Sequence, residues 1–157
     1  MRILVIQGPN LNLLGTRQPD QYGHRTLVDV QQDLDRAAAP LGVVLDHRQS
    51  NHEGVLIDAI HGAAETCAGV LINPAGLGHT SVCLRDALLG VGLPFVEVHI
   101  SNVYAREPFR QHSLLADVAA GVVVGFGTAG YSLGLQGLVE CILRADAQGA
   151  HRGPQSP

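Results

Sequence analysis

Five short apolar runs, each followed by a segment of helical periodicity, predict an α/β domain built on a parallel sheet. The runs fall at residues 2–7, 43–48, 69–73, 94–100 and 121–125. Most are continuously apolar rather than alternating, as expected of strands covered on both faces. The segments between them are long enough for the helical crossovers that parallel strands require. Together these features predict a flavodoxin-like three-layer sandwich with strand order 2-1-3-4-5.

Taken in order, the first strand stops at Gly8-Pro9 and is followed by a loop of roughly 15 or more residues, far beyond the usual connection of about 2 to 6. Residues 27–39 then set Leu27, Val30 and Leu34 on one stripe and end before Pro40 and Gly42, a helix stop. Residues 54–66 and 79–91 repeat the pattern, and a last helix is expected over about 130–145. Beyond it, AQGAHRGPQSP is polar and rich in glycine and proline. The organisation predicted is one catalytic domain over residues 1–145 and a flexible C-terminal tail over 146–157. A chain of 157 residues suits one domain that buries about 70% of its extended surface.

Composition removes several classes of function. Hydrophobic residues make up 46% of the chain and charged residues 15%, which excludes a disordered protein, and no apolar run approaches the ~20 residues needed to span a bilayer. Residues 3–6 give way at once to Gln7-Gly8-Pro9, short of the about 7 to 15 apolar residues of a signal-peptide core; the expected location is the cytoplasm. All ten basic residues are arginine. Without lysine there is no Schiff-base chemistry, no Walker loop and no lysine general base. A formal charge of -4 and the lack of a basic cluster argue against nucleic acid and anionic membranes as partners. Cys67, Cys83 and Cys141 are scattered and read as buried thiols rather than a disulfide frame or metal site. His52-Glu53 is followed by Leu56 where a zinc helix needs a second histidine, so no metal site is predicted. Three tyrosines and no tryptophan leave little for stacking on a flavin.

The chemistry gathers at strand ends. In an open parallel sheet, ligands bind beyond the carboxyl ends of the strands, and here the first loop carries Asn10, Asn12, Arg17 and Tyr22. Strand 3 ends in Asn73-Pro74, followed by His79-Thr80-Ser81, which reads equally as a helix cap or as a binding element. Glu97 and His99 alternate with Val96, Val98 and Ile100, so they share one face of strand 4. A carboxylate beside an imidazole fixes its tautomer and favours its protonated form, as a general acid requires; on an exposed strand the same pair is two solvated side chains. In the predicted order the ends of strands 1, 3 and 4 are neighbours, which brings Asn10, Asn73 and His99 to one rim. Arg106 and Arg110 follow as carboxylate clamps or solvated charges.

The motifs carrying these residues are GPNLNLLG, Arg17, Tyr22-Gly23, RQSNHEG at 48–54, LINPxxxxHTS, LRDAL, EVHISN, AREPFR and GFGxxGY. In this order and spacing, over about residues 2–140, the chain resembles the type II 3-dehydroquinate dehydratases. That resemblance implies a flavodoxin-like enzyme that removes water from 3-dehydroquinate to give 3-dehydroshikimate without metal or cofactor. It implies that Tyr22 abstracts a proton at C2, that Arg17 activates Tyr22, and that Asn10 holds the water supporting the enolate. His99 would protonate the departing C1 hydroxyl and Glu97 would orient His99. Asn73, Ile100, Ser101 and Arg110 would bind substrate, with His79 and the partner subunit's Asp86 completing the pocket. The implied assembly is a dodecamer of four trimers.

The demand on Tyr22 is physical as well. A phenol with an ordinary pKa of about 10 needs roughly 3 to 4 kcal/mol of phenolate stabilisation to act as a base near neutral pH. One arginine at ~4 Å supplies about 4 kcal/mol at an effective dielectric near 20, but only ~1 in water. Closure of the loop that carries both residues is then a condition of activity.

The chain departs from the family pattern at three places. Gln7 stands where asparagine is usual, Gln18 where glutamate is usual, and residues 75–78 read AGLG where GAYT is common; this last change is expected to bear on the backbone around His79 and on substrate binding. RQSNHEG is assigned to fold and subunit packing. Competing readings are the same reaction in quinate catabolism and a non-catalytic flavodoxin-like module binding FMN or a phosphoryl group.

Overall fold

The computed structural model describes residues 1–16 and 25–150. Arg17 and Tyr22 fall outside the described residues. Five strands, β1 (Arg2–Gln7), β2 (Val44–Gln49), β3 (Gly69–Asn73), β4 (Phe95–His99) and β5 (Gly121–Val124), form one all-parallel sheet of order β2-β1-β3-β4-β5, as the alternating pattern predicts. The helices are α1 (Leu27–Ala38), α2 (Glu53–Ala63), α3 (Val82–Val91) and α4 (Ala129–Ala150).

The helices divide between the two faces, as right-handed crossovers in this order require. On one face α1 and α4 cover Ile3, Val5, Leu71, Val96 and Val98 with Val30, Leu34, Tyr131, Leu135 and Leu138. On the other, α2 and α3 cover Leu4, Ile6, Val70, Ile72 and Phe95 with Leu56, Ile60, Leu84 and Leu88. The period-2 alternation of each central strand thus feeds two cores. A full capping box opens α1: Thr26 accepts from the Asp29 N–H, and the Asp29 carboxylate accepts from Thr26 in return.

Three boundaries and one burial differ from expectation. The helix α2, expected to reach residue 66, ends at Ala63, and the cysteines expected to be buried are not, Cys83 being exposed and Cys67 and Cys141 half-buried. The helix expected to start at residue 79 begins at Val82, because residues Ala75–His79 take a tighter 3-10 turn and Ser81 caps α3 by accepting from the Leu84 N–H at 2.8 Å. The last helix runs to Ala150 rather than 145; Arg144, Ala145, Asp146, Ala147 and Gln148 contain no breaker, so propensity carries it on. No helix among the described residues is long and apolar enough to cross a membrane.

Candidate active site

The carboxyl ends of β1, β3 and β4 open into a cavity of about 430 Å³ lined by Asn10, Asn73, His79, His99, Ile100, Ser101, Arg106, Glu107 and Arg110, with Pro9, Leu11, Leu13, Leu14, Ala75, Gly76 and Val103. Eight of the candidate site residues singled out in the sequence line it: Asn10, Asn73, His79, His99, Ile100, Ser101, Arg106 and Arg110. Glu97 lies beneath it, fully buried. Asp86 is exposed on α3 and does not line this cavity.

Two buried polar networks hold the floor, one on each face of the sheet. On the α2/α3 face, His99 Nε2 donates to Glu97 Oε1 at 2.6 Å, and the Ser113 hydroxyl lies 2.7 and 2.9 Å from the two oxygens of the same carboxylate. Because Nε2 faces the carboxylate, Nδ1 is the ring nitrogen left to exchange a proton with a ligand. His79 stacks on His99, with ring centroids 6.0 Å apart and planes 17° from parallel. Its Nδ1 faces the His112 carbonyl at 2.8 Å. A carbonyl only accepts, so His79 carries its proton on Nδ1 and offers Nε2 as an acceptor when neutral.

On the α1/α4 face, the Asn73 amide donates to the Tyr131 hydroxyl at 2.8 Å, and that hydroxyl donates to Gln7 Oε1 at 2.6 Å. Asn73 Oδ1 accepts from the Ala75 N–H at 3.1 Å. Burial pushes the Tyr131 hydroxyl well above its ordinary pKa, against the opposing hydrogen bonds of Asn73 and Gln7. It therefore serves as a neutral donor and acceptor that fixes the Asn73 amide at the cavity edge.

The first loop leaves β1 through Gly8. A Cβ there would sit 2.3 Å from the Pro74 carbonyl oxygen, so only glycine lets the two loops pass this closely. Asn10 follows in the left-handed region at φ 69°, and its N–H donates to Asn51 Oδ1 at 2.8 Å. Gln49 Nε2 approaches the Gly8 carbonyl and Asn51 Oδ1 at 3.4 and 3.3 Å, while Glu53 accepts from the Ser81 hydroxyl. RQSNHEG thus keeps its assigned role in the fold, but its polar side chains brace the first loop and the cap of α3. Ala75, the first residue of the departing AGLG, is the other non-glycine residue with positive φ among those described, at 51°.

At the cavity mouth, Glu107 sits between two arginines. Arg110 Nε donates to Glu107 Oε2 at 3.0 Å and Arg106 Nε lies 3.6 Å from it. A hydrogen bond from its own backbone, then the Arg110 and Arg106 charges, hold the Glu107 carboxyl below the usual carboxylate range. The Arg110 guanidinium also lies over the Phe109 ring, 5.2 Å from its centroid. Fixed through Nε, it is suited to receive a carboxylate with its terminal nitrogens.

Sequence reasoning missed Asn51, Ser113 and the Gln7–Tyr131 pair. Asn51 carried a signal, a polar cluster between a strand end and a helix. Ser113 carried none, since it reaches Glu97 across 16 residues with no repeating pattern that would pair them.

A family model described as dehydroquinase class II matches residues 1–139. The 3-dehydroquinate dehydratase of Citrobacter koseri is 58% identical over 140 residues, covering 89% of this chain and 93% of that protein; that of Yersinia enterocolitica is 54% identical over 144 residues, covering 92% and 96%. Among solved structures, the type II dehydroquinase from Propionibacterium acnes superposes with a TM-score of 0.84 at 40% identity, over 88% of this chain and 96% of that one. That from Butyrivibrio crossotus gives 0.85 at 40% identity, over 88% and 97%. The buried acid–histidine pair beneath a polar cavity thus sits in a chain whose match runs through every strand and into the last helix, and the protein belongs to the class II dehydroquinase family.

Proposed function

We propose that the protein removes water from 3-dehydroquinate to give 3-dehydroshikimate, as an enzyme of the shikimate pathway. The observation that carries this reading is the His99–Glu97 pair, buried at the base of a cavity that also presents Asn10, Asn73 and Arg110, in a chain of this family. A non-catalytic module has no use for a carboxylate-backed imidazole there.

In the proposed reaction Tyr22, as phenolate beside Arg17, takes the C2 proton and the electron pair moves into an enolate. Asn10 holds the water that stabilises the enolate oxygen. The enolate then expels the C1 hydroxyl, His99 delivers a proton from Nδ1 to it, and water departs. The proton on Tyr22 returns to His99 through solvent, so no net charge or electron is left on the protein. Arg110 receives the C1 carboxylate, and Asn73, Ser101 and Ile100 with His79 hold the ring hydroxyls. The reaction needs acid, base and an oxyanion partner, which side chains supply, so no cofactor or metal is assigned.

Asp86 is proposed to act from a neighbouring subunit, within a dodecamer of four trimers. Its exposure on α3, away from its own cavity, supports that placement. The proposed location is the cytoplasm.

The test is the ultraviolet absorbance of the enone formed from 3-dehydroquinate. Turnover is expected to survive exhaustive chelation, and borohydride with substrate to leave it unchanged because the chain has no lysine to trap. An inactive wild-type protein, or one that works only with added metal, would overturn the reading.

A further inference from the structure

The segment after the arginine-rich turn grips the acid pair from below. Ser113 Oγ lies 2.7 and 2.9 Å from Glu97 Oε1 and Oε2 and accepts from the Leu115 N–H at 3.0 Å. The segment is fastened on both sides of this contact. The Leu114 N–H donates to the Gly78 carbonyl at 2.7 Å, and Arg85 donates to the Leu114 carbonyl at 2.6 Å and to both oxygens of Asp117. One residue earlier, the His112 carbonyl receives His79 Nδ1. The position of Ser113 is therefore set by three elements at once, and a serine hydroxyl whose acceptor side is filled by Leu115 has its single proton to give to Glu97.

A fully buried carboxylate is costly unless its lone pairs are satisfied. Between Glu97 and His99 one proton has two homes. On the ring it yields carboxylate and imidazolium; on Glu97 it yields two neutral groups, with Nε2 accepting and an Nδ1 proton that a neutral imidazole gives up far less readily than an imidazolium does. A second donor to Glu97 favours the first arrangement. We propose that Ser113 is a positioning residue of the dehydration: by donating to Glu97 it keeps the carboxylate charged, and so keeps His99 an imidazolium that gives its Nδ1 proton to the leaving hydroxyl. Among the described residues, the charged or titratable groups that share the cavity with His99 are His79 from the 75–79 turn and Arg106, Glu107 and Arg110 from the segment after β4.

This inference rests on His99 being the acid of the proposed reaction, and the test separates the two. Ser113→Ala is expected to lower kcat about tenfold with KM within twofold, and nitrogen-15 spectra of His99 at pH 6 should show reduced imidazolium character. Ser113→Thr, which keeps the hydroxyl, should restore both; Ser113→Cys, of similar size with a weak donor, should behave like alanine and covers the case in which the alanine variant fails to fold. In a Glu97→Gln background, Ser113→Ala should cost less than twofold, because its effect passes through the carboxylate. Equal losses in both backgrounds, or His99 spectra unmoved by Ser113→Ala or Ser113→Cys, would overturn the role. If the wild-type protein fails to dehydrate 3-dehydroquinate, the functional reading falls, while the imidazole spectra still decide what Ser113 does to the pair.

Discussion

Asn51 Oδ1 accepts the backbone N–H of Asn10 at 2.8 Å, and this bond fixes a residue whose left-handed backbone turns the chain at the cavity edge. Left-handed geometry costs a non-glycine residue about 1 to 2 kcal/mol, so Asn10 stays there only while its surroundings hold it. Asn51→Ala is expected to lower kcat/KM about five- to tenfold while global stability changes by less than about 2 kcal/mol, the worth of the Asn10 bond and the longer one from Gln49. Steady-state kinetics beside a urea titration check both halves.

Ala75 is the same problem without the help of an asparagine side chain. At φ 51° its methyl group strains the backbone, and glycine would relieve about 1 to 2 kcal/mol of that cost while giving back about 0.4 to 1 in unfolded-chain entropy. Ala75→Gly should therefore raise the unfolding free energy by up to about 1.5 kcal/mol. A measured loss of stability would show that the Ala75 methyl contributes packing that outweighs the strain.

Tyr131→Phe removes the hydroxyl that joins Asn73 to Gln7, leaving two buried polar groups without that partner. A destabilisation of about 1 to 3 kcal/mol is expected, with a raised KM as the Asn73 amide loses its anchor. The pH dependence has a definite sign. The folded hydroxyl titrates above the unfolded one, so its contribution is complete below about pH 10 and is lost as pH climbs from there towards the folded value, at up to about 1.4 kcal/mol per pH unit. The phenylalanine variant should lack that part of the alkaline slope in denaturation curves.

Tyr22→Phe should abolish nearly all turnover with the fold and ligand binding kept, since one oxygen is lost. Retention of a tenth or more of kcat would place less than ~1.4 kcal/mol of the barrier on that oxygen, too little for the principal base.

Subunit mixing tests the shared site. Co-refolded Tyr22→Phe and Asp86→Ala chains should recover activity that neither shows alone, because some mixed interfaces hold both intact residues. Normal kinetics in Asp86→Ala, or an active monomer by light scattering, would leave Asp86 as a surface charge of about 0 to 1 kcal/mol.

The sheet order was legible because continuous apolar strands and helical spacers admit few arrangements, and every strand falls within a residue or two of its predicted place. The rim of Asn10, Asn73 and His99 followed from that order alone. Burial of Glu97 followed from Val96 and Val98 flanking it in a covered strand. Ser113, Tyr131 and Asn51 were not legible, since each reaches its partner over 16, 58 and 41 residues respectively, and such pairings leave no periodicity in the chain. The turn at Ala75–His79 was hidden for a different reason: a 3-10 turn and the first turn of an α-helix use the same residue types.

The bond between Tyr131 and Gln7 spans 124 residues, which sets a timetable for biosynthesis. At about 5 to 20 residues per second on the ribosome, the strand bearing Gln7 precedes the helix that covers it by roughly 6 to 25 s. Until that helix is made, Ile3 and Val5, and then Leu71, Val96 and Val98 as each is added, lack the side chains of α4 that bury them in the finished protein. The nascent chain thus shows an apolar ribbon to holdase chaperones until its final helix is made, and a message cut short before residue 129 yields a sticky fragment rather than a smaller enzyme.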